Sequence, residues 1–250
     1  MKTLVYGHRG SSFMAPENTM EAFELAAKQG VDGIEMDIHL TADHQLAVIH
    51  DYTLDRTTNG TGIVENYTMA ELKKYDASYG KGKYAGARIP ELRELYDWMK
   101  GNNIQLNLEI KAGNDCNPQQ IISILAKLEK EYDFSERIIY SSFNHYAMVK
   151  FKERMPHACV GLLYEAGMID GWKYAKALGA DCLHPYYRYA CMGREVENAH
   201  DCGLRVNVWT VDEVADMEEI FRKKCNIMIS NKPYLALEVR KGVKNEQSIS

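Results

Sequence analysis

The sequence predicts an α/β fold, a (β/α)8 barrel of eight parallel strands each followed by a helix. Three observations carry this. The chain has 250 residues, a length that barrels of this kind use as one unit. Eight strand-like runs alternate with helix-like runs. A helix-like stretch that ends at a glycine and gives way to a strand recurs at Gly30, Gly101, Gly179 and Gly203, each placed for the left-handed position after a helix. The doubly wound open sheet is the other arrangement of the same elements.

In order, Thr3 to Gly7 is a short strand that ends in His8-Arg9-Gly10. Asn18 to Gln29 follows as a helix, with Asn18 as its cap and Glu21 completing a capping-box variant. Gly33 to Asp37 is the second strand. Leu46 to His50 reads as an additional strand only a few residues on, across Thr41-Ala42-Asp43-His44. That spacing suits a hairpin rather than a crossover, projecting above the mouth and returning His50 to it. From Asp51 to Arg88 the chain is rich in Thr, Asn, Tyr, Lys and Gly, so an irregular insertion is expected on the same rim. We therefore read residues 1–250 as a single barrel domain with a rim hairpin and insertion at about 38–88.

The remaining strands are expected at Ile104 to Lys111, Arg137 to Ser142, Cys159 to Tyr164, Asp181 to His184, Arg205 to Trp209 and Asn226 to Ile229. Helices are expected at Glu91 to Lys100, Pro118 to Glu131, His145 to Arg154, Met168 to Leu178, Arg194 to Asp201, Asp212 to Lys223 and from Tyr234. The polar tail, Lys241 to Ser250, is expected to fray.

Composition bounds the function. With 46% hydrophobic and 26% charged residues the chain folds rather than remaining disordered. Thirty basic against 35 acidic residues give a net charge of −5, which supplies no basic field for nucleic acid. No apolar run reaches the length of an integral membrane helix, and the start of the chain has no signal-peptide core, so the expected location is the cytoplasm. The six cysteines form no Cys-x-x-Cys pair and are read as reduced thiols. Oligomeric state is not encoded in any pattern.

Strand alternation places Glu35 and Asp37 on one face and Ile34, Met36 and Ile38 on the other; likewise Asn107, Glu109 and Lys111 oppose Leu106, Leu108 and Ile110. The polar set should point into the barrel and the apolar set under the helices. Three carboxylates at the ends of adjacent strands are costly to bury without a cation, and all-oxygen donors suit one hard divalent ion, Mg²⁺ or Ca²⁺. The alternative is that each acid sits in an ion pair with Arg or Lys. His8 and His50 both end candidate strands and can exchange proton-donor and acceptor roles at a phosphoryl or acyl centre. Arg9 and Lys111 are cations suited to phosphate oxygens. His39 and Phe13 are read as rim or packing residues.

The pattern resembles the glycerophosphodiester phosphodiesterases. The matching elements run in order from His8-Arg9-Gly10 through Ala15-Pro16-Glu17-Asn18-Thr19, Glu35-x-Asp37, Thr41-x-Asp43, His50-Asp51, Asp55-Arg56-Thr57-Thr58, Ile89-Pro90, Glu109-Ile110-Lys111, Ser142-Phe143 and Trp209-Thr210 to Asn231-x-Pro233. The resemblance implies a barrel of the phosphatidylinositol-phospholipase-like type with an insertion after the second strand. It implies His8 and His50 as the catalytic pair, Glu35, Asp37 and Glu109 as metal ligands, and Arg9, Lys111 and Trp209 as phosphate- or substrate-contacting residues. The implied reaction is metal-dependent hydrolysis of a glycerophosphodiester to sn-glycerol 3-phosphate and an alcohol. His44 and Asn231 depart from the family's usual Gly and Asp, at positions outside this set. Two other readings compete: a lysophospholipase D whose apolar groove would come from Tyr67, Tyr75, Tyr79 and Tyr84, and a silent barrel that binds glycerophosphodiesters without turnover.

Overall fold

The computed structural model describes residues 2–112 and 118–247; Cys116 and the end of the polar tail lie outside the described residues. The strands are β1 (Leu4–His8), β2 (Gly33–Leu40), β3 (Leu46–Val48), β4 (Gln105–Ile110), β5 (Ile138–Ser142), β6 (Cys159–Tyr164), β7 (Cys182–Pro185), β8 (Arg205–Val208) and β9 (Ile227–Ser230). All but β3 run parallel, and β1 pairs with both β2 and β9, which closes the barrel. The helices are α1 (Met20–Gln29), α2 (Met69–Leu72), α3 (Leu92–Met99), α4 (Pro118–Tyr132), α5 (His145–Arg154), α6 (Gly171–Ala177), α7 (Tyr187–Ala190), α8 (Glu195–Asp201), α9 (Val214–Lys223) and α10 (Pro233–Gln247).

The period-2 pattern sets the layers. Ile34, Met36, Ile38, Leu106, Leu108 and Ile110 join Phe23, Leu95, Ile121, Phe151 and Ile220 in one continuous core between sheet and helices. Inside the barrel, Tyr6, Ile139, Cys182, Ile227 and Ile229 form a second apolar cluster that floors the mouth. Tyr6 crosses the interior to donate to Gln105 Oε1 at 2.6 Å, and it can do so because Gly33 faces it: a Cβ there would lie 2.4 Å from Tyr6 Cζ.

Three local expectations change. Helix α1 is capped by Thr19, whose side chain accepts from Ala22 N, and not by Asn18; Asn18 adopts φ 55°, and its amide is spent on Asp37 instead. Gly101 is not left-handed, unlike Gly30, Gly179 and Gly203. Asn102 makes that turn, donating to Trp98 O and accepting from Ile104 N, each at 3.0 Å. The tail does not fray at Lys241, because α10 continues to Gln247, held by Leu237, Val239 and Val243 against the core and by Arg240 on Asp32.

Beyond Asp37, β2 continues into an antiparallel pairing with β3 (Ile38 with Val48, Leu40 with Leu46). His44 occupies a left-handed turn position at φ 58°, a conformation that Gly adopts at no steric cost. Ile49 N still donates to Asp37 O at 3.1 Å, so the next residue, His50, is delivered beside Asp37. The segment that follows is more ordered than expected. It holds α2, with a full capping box between Thr68 and Glu71, and a small core of Leu54, Val64, Met69, Leu72 and Ala77 with Ile49 and Ile89. Lys81 Nζ fastens it to the β1–α1 loop through the carbonyls of Ser12 and Ala15, both at 2.8 Å.

Candidate active site

The C-terminal ends of the strands surround an open cleft of about 500 Å³ lined by His8, Arg9, Glu35, His50, Asn107, Glu109, Lys111, Phe143, Trp209 and Thr210, among others. Seven of the eight residues expected in the site line it directly. The eighth, Asp37, is fully buried beneath, with Lys111 Nζ 3.0 Å from its Oδ1 and Arg9 Nε 3.3 Å from its Oδ2.

Glu35, Asp37 and Glu109 each offer a carboxylate oxygen to one spot, with these atoms within 4.8 Å of one another. β1 and β2 are in register with His8 beside Glu35, and β2 and β4 with Asp37 beside Glu109; the cluster is therefore a direct product of sheet pairing. Arg9 sits at φ 54° and turns its backbone N–H onto Glu35 Oε2 at 3.0 Å. The next residue has to be glycine: Gly10 is at φ 84°, and a Cβ on it would lie 2.7 Å from the Ala22 backbone. Asn18 Nδ2 donates to Asp37 Oδ2 at 2.8 Å.

The ion-pair reading of the acids holds only in part. Lys111 pairs with both Asp37 and Glu109, and Arg9 is shared between Asp37 and Glu17. Burial would raise the Asp37 carboxyl, but Lys111 and then Arg9 outweigh it and hold it well below the usual carboxylate range. Glu35 is pushed well up, by burial first and then by Asp37 and Glu109. Glu109 is pushed up to about 7 by burial and by Asp37. Three buried acids with two cations between them carry one negative charge more than the pocket neutralises, and the hard-oxygen donor set fits a divalent cation.

The two imidazoles have different supports. His8 Nδ1 lies 2.7 Å from Asn231 Oδ1, and its Nε2 is 3.8 Å from Glu35 Oε2. Burial, and then Arg9, lower the His8 pKa to about 4. His50 Nδ1 lies 2.6 Å from Asp51 Oδ1. Its pKa is also lowered, by burial first, with Lys111 and Arg9 adding to that and Asp37 and Asp51 opposing it. Asp51 is gripped by Arg56 through Nε and Nη2 at 2.7 and 2.8 Å, and Arg56 reaches both oxygens of Glu17 at 2.8 and 2.7 Å. Glu17 accepts in turn from Arg9 at 2.7 Å, so an alternating chain of charge ties His50 to the β1–α1 loop.

Trp209 donates Nε1–H to His184 O at 2.8 Å and meets Phe143 edge-on at 5.5 Å, which makes an apolar wall opposite the charges. Sequence reasoning gave no part in the site to Glu17, Asn18, Arg56, Phe143, Asp212 or Asn231, and read Asn18 as a helix cap. All but Asp212 lie inside the quoted motifs, and that membership was the available signal. Asn231 in particular does not stand outside the set, since it contacts His8 directly. Among the described residues, Tyr67 and Tyr75 pack on each other at 5.8 Å within the small core of the insertion, and Tyr79 and Tyr84 do not line the cleft. None of these four tyrosines lines the cleft. Of the two readings of His39, rim or packing, packing holds: it is fully buried, and its Nε2–H donates to His50 O at 3.0 Å. No helix among the described residues is long and apolar enough to cross a membrane, and five cysteines are free thiols.

A barrel mouth that sets two imidazoles and two fixed cations around a carboxylate cluster belongs to the phosphoric diester hydrolases. The profile of the Glycerophosphoryl diester phosphodiesterase family matches residues 8–235, and the chain belongs to that family. It is 44% identical over 244 residues to a glycerophosphodiester phosphodiesterase of Caldanaerobacter subterraneus subsp. tengcongensis, covering 97% of this chain and 100% of the relative. Among solved structures, a phosphodiesterase of Oleispira antarctica in complex with the product sn-glycerol-3-phosphate superposes with a TM-score of 0.88 at 27% identity, covering 96% of this chain and 97% of that one. The glycerophosphodiester phosphodiesterase of Thermotoga maritima does so with a TM-score of 0.78 at 25% identity, over 96% and 99%.

Proposed function

We propose that the cleft hydrolyses glycerophosphodiesters to sn-glycerol 3-phosphate and an alcohol, with Glu35, Asp37 and Glu109 as the ligands of one divalent cation, Mg²⁺ or Ca²⁺. The observation that carries the reading is the convergence of these acids with His8, His50, Arg9 and Lys111 in one cleft. The similar structure in complex with the product sn-glycerol-3-phosphate supports the substrate class. When bound, the cation supplies positive charge to the phosphoryl oxygens.

Arg9 and Lys111 hold the phosphodiester by charge-assisted hydrogen bonds, and Trp209 shields the substrate's apolar edge. The supports of the two histidines separate their roles. Asp51 accepts only, so His50 Nδ1 donates to it, and the carboxylate partly offsets the burial that lowers the pKa of this ring, an offset that His8 lacks. His8 faces a neutral amide and is held neutral by burial and by Arg9, which leaves Nε2 free to accept. His8 therefore takes the proton from the nucleophile, and His50 gives one to the departing alkoxide. With the three acids at −3, the cation at +2, the two side-chain cations at +2 and the diester at −1, the loaded site is neutral; a dianionic monoester leaves it negative, which favours release.

The experiment is a coupled assay for glycerol 3-phosphate on several glycerophosphodiesters, before and after exhaustive chelation. Activity should vanish with EDTA and return with Mg²⁺ or Ca²⁺. Full turnover without metal would overturn the cation site, and tight binding of the diester without turnover in the presence of metal would leave a silent binding barrel.

A further inference from the structure

We infer that Asp212 is a positioning residue for the reaction: acting through Asn231, it fixes which nitrogen of His8 carries the proton. The inference rests on the reading of His8 as the proton acceptor. Asp212 follows β8 and Asn231 follows β9, so both stand on the rim on the far side of His8 from the acids. Asp212 Oδ2 accepts from Asn231 Nδ2 at 2.6 Å, while its Oδ1 accepts from Asn231 N at 2.8 Å and from Ser230 Oγ at 3.0 Å. A carboxylate has no proton to give, so the amide end that faces it must be the NH₂ group. The carbonyl end then faces the other way, where Oδ1 stands 2.7 Å from His8 Nδ1 and receives Ser12 Oγ–H at 2.8 Å.

An amide oxygen accepts only, so the neutral His8 ring must place its single proton on Nδ1. Its Nε2 lone pair then points into the cleft. Were the Asn231 amide turned over, its NH₂ would face Nδ1, the ring proton would move to Nε2, and the nitrogen in the cleft could no longer accept. The two amide orientations are isosteric; of the groups around the amide, the Asp212 carboxylate and the Ser12 hydroxyl, only the carboxylate cannot adapt to the reversed arrangement. Asp212 is thus what makes one orientation much lower in free energy. This is a second use of an acid beside a histidine, different from Asp51 at His50: there the carboxylate touches the ring and favours its charge, here it acts one residue away and selects a tautomer.

The test uses the full chain labelled with ¹⁵N-histidine and loaded with Mg²⁺, in the wild type and in Asp212→Ala, Asp212→Asn and Asn231→Ala. Long-range ¹H–¹⁵N spectra, assigned with His8→Gln, should show Nδ1 protonated and Nε2 bare in the wild type. Asp212→Ala and Asn231→Ala should mix or reverse that pattern and lower kcat by roughly tenfold or more, a part of the 10²–10⁴ that positioned proton transfer is worth in full, with KM within about twofold since the phosphate contacts are untouched. Asp212→Asn has a single carbonyl oxygen, which the Asn231 backbone N–H claims, so its NH₂ faces the Asn231 side chain and should favour the reversed amide, the reversed tautomer and the same fall in kcat. An unchanged tautomer in the two alanine variants, or a changed tautomer with unchanged kcat, would overturn the inference. If His8→Gln itself leaves kcat intact, the reading of His8 fails instead, and the tautomer data distinguish the two failures.

Discussion

Replacing Gly33 by alanine tests whether the barrel floor sets the geometry of the site above it. The added Cβ would lie 2.4, 2.5 and 2.7 Å from Tyr6 Cζ, Cε1 and Cε2, distances that no ordinary packing tolerates. Tyr6 cannot withdraw, because it is fully buried, enclosed by Ile139, Cys182, Ile227 and Ile229 and tied to Gln105. Overpacking of this kind costs about 1–3 kcal/mol, and loss of the Tyr6–Gln105 bond adds about 1 kcal/mol. At the ~2–4 °C per kcal/mol typical of a chain this size, Tm should fall by roughly 5–15 °C. Since Tyr6 pairs with Gly33 and His8 with Glu35 along the same two strands, a displaced Tyr6 should also lower activity in the protein that remains folded. Tyr6→Leu removes the offending ring and should be less sensitive to the Gly33→Ala change than the wild type is. Calorimetry on the four proteins of the cycle decides it. A Gly33→Ala variant within about 0.5 kcal/mol of the wild type, or a double mutant in which the two losses simply add, would refute the reasoning.

Other outcomes follow from the same geometry. His39 and His184 are fully buried with pKa values lowered by burial to about 4 and about 3; the unfolded chain protonates them below about 6.5, so their stability contribution is present above that pH and is lost as pH falls, at about 1.4 kcal/mol per pH unit for each. Urea midpoints between pH 6.5 and 4.5 should show this slope, and fewer than one proton taken up on unfolding would contradict it. Asn18→Ala removes the amide on Asp37 Oδ2 and should raise the Mg²⁺ concentration for half-maximal activity by roughly 10–100-fold, the usual cost of losing an outer partner of a ligand; an unchanged metal titration would place Asp37 outside the metal shell. His8→Gln and His50→Gln should each lower kcat by roughly 10²–10⁴-fold while leaving diester binding in place, and a rise in KM alone would remove either residue from proton transfer.

The legible parts of the molecule are those set by local rules. Period-2 alternation placed Glu35, Asp37, Asn107 and Glu109 inside the barrel, and the short Thr41 to His44 spacing marked the turn between β2 and β3. Positions that depend on a distant partner were not legible. Asn18 has the chemistry of a cap, yet its amide reaches Asp37, and Thr19 caps the helix in its place. Asn231 and His8 are 223 positions apart, so the departure of Asn231 from the common Asp looked inconsequential until the closed sheet brought β1 beside β9. The insertion reads as irregular because its few apolar residues follow no period, while Leu54, Val64, Met69 and Leu72 nonetheless meet in space.

The chain of charge from Asp51 through Arg56 and Glu17 to Arg9 divides the rim into a stem and a tip. Every member of that chain lies at or before residue 56, and Ile89 anchors the other end in the small core; past residue 56, Lys81 on the carbonyls of Ser12 and Ala15 and the apolar residues packed on Ile49 carry the remaining support. Beyond the stem, Ile63 and Tyr79 stand about half exposed at 50% and 55%. New specificity can therefore accumulate at the tip by drift or by loop grafting without disturbing the placement of His50, whereas an exchange that takes the whole segment would remove Arg56 and leave Asp51 and Glu17 without their shared cation.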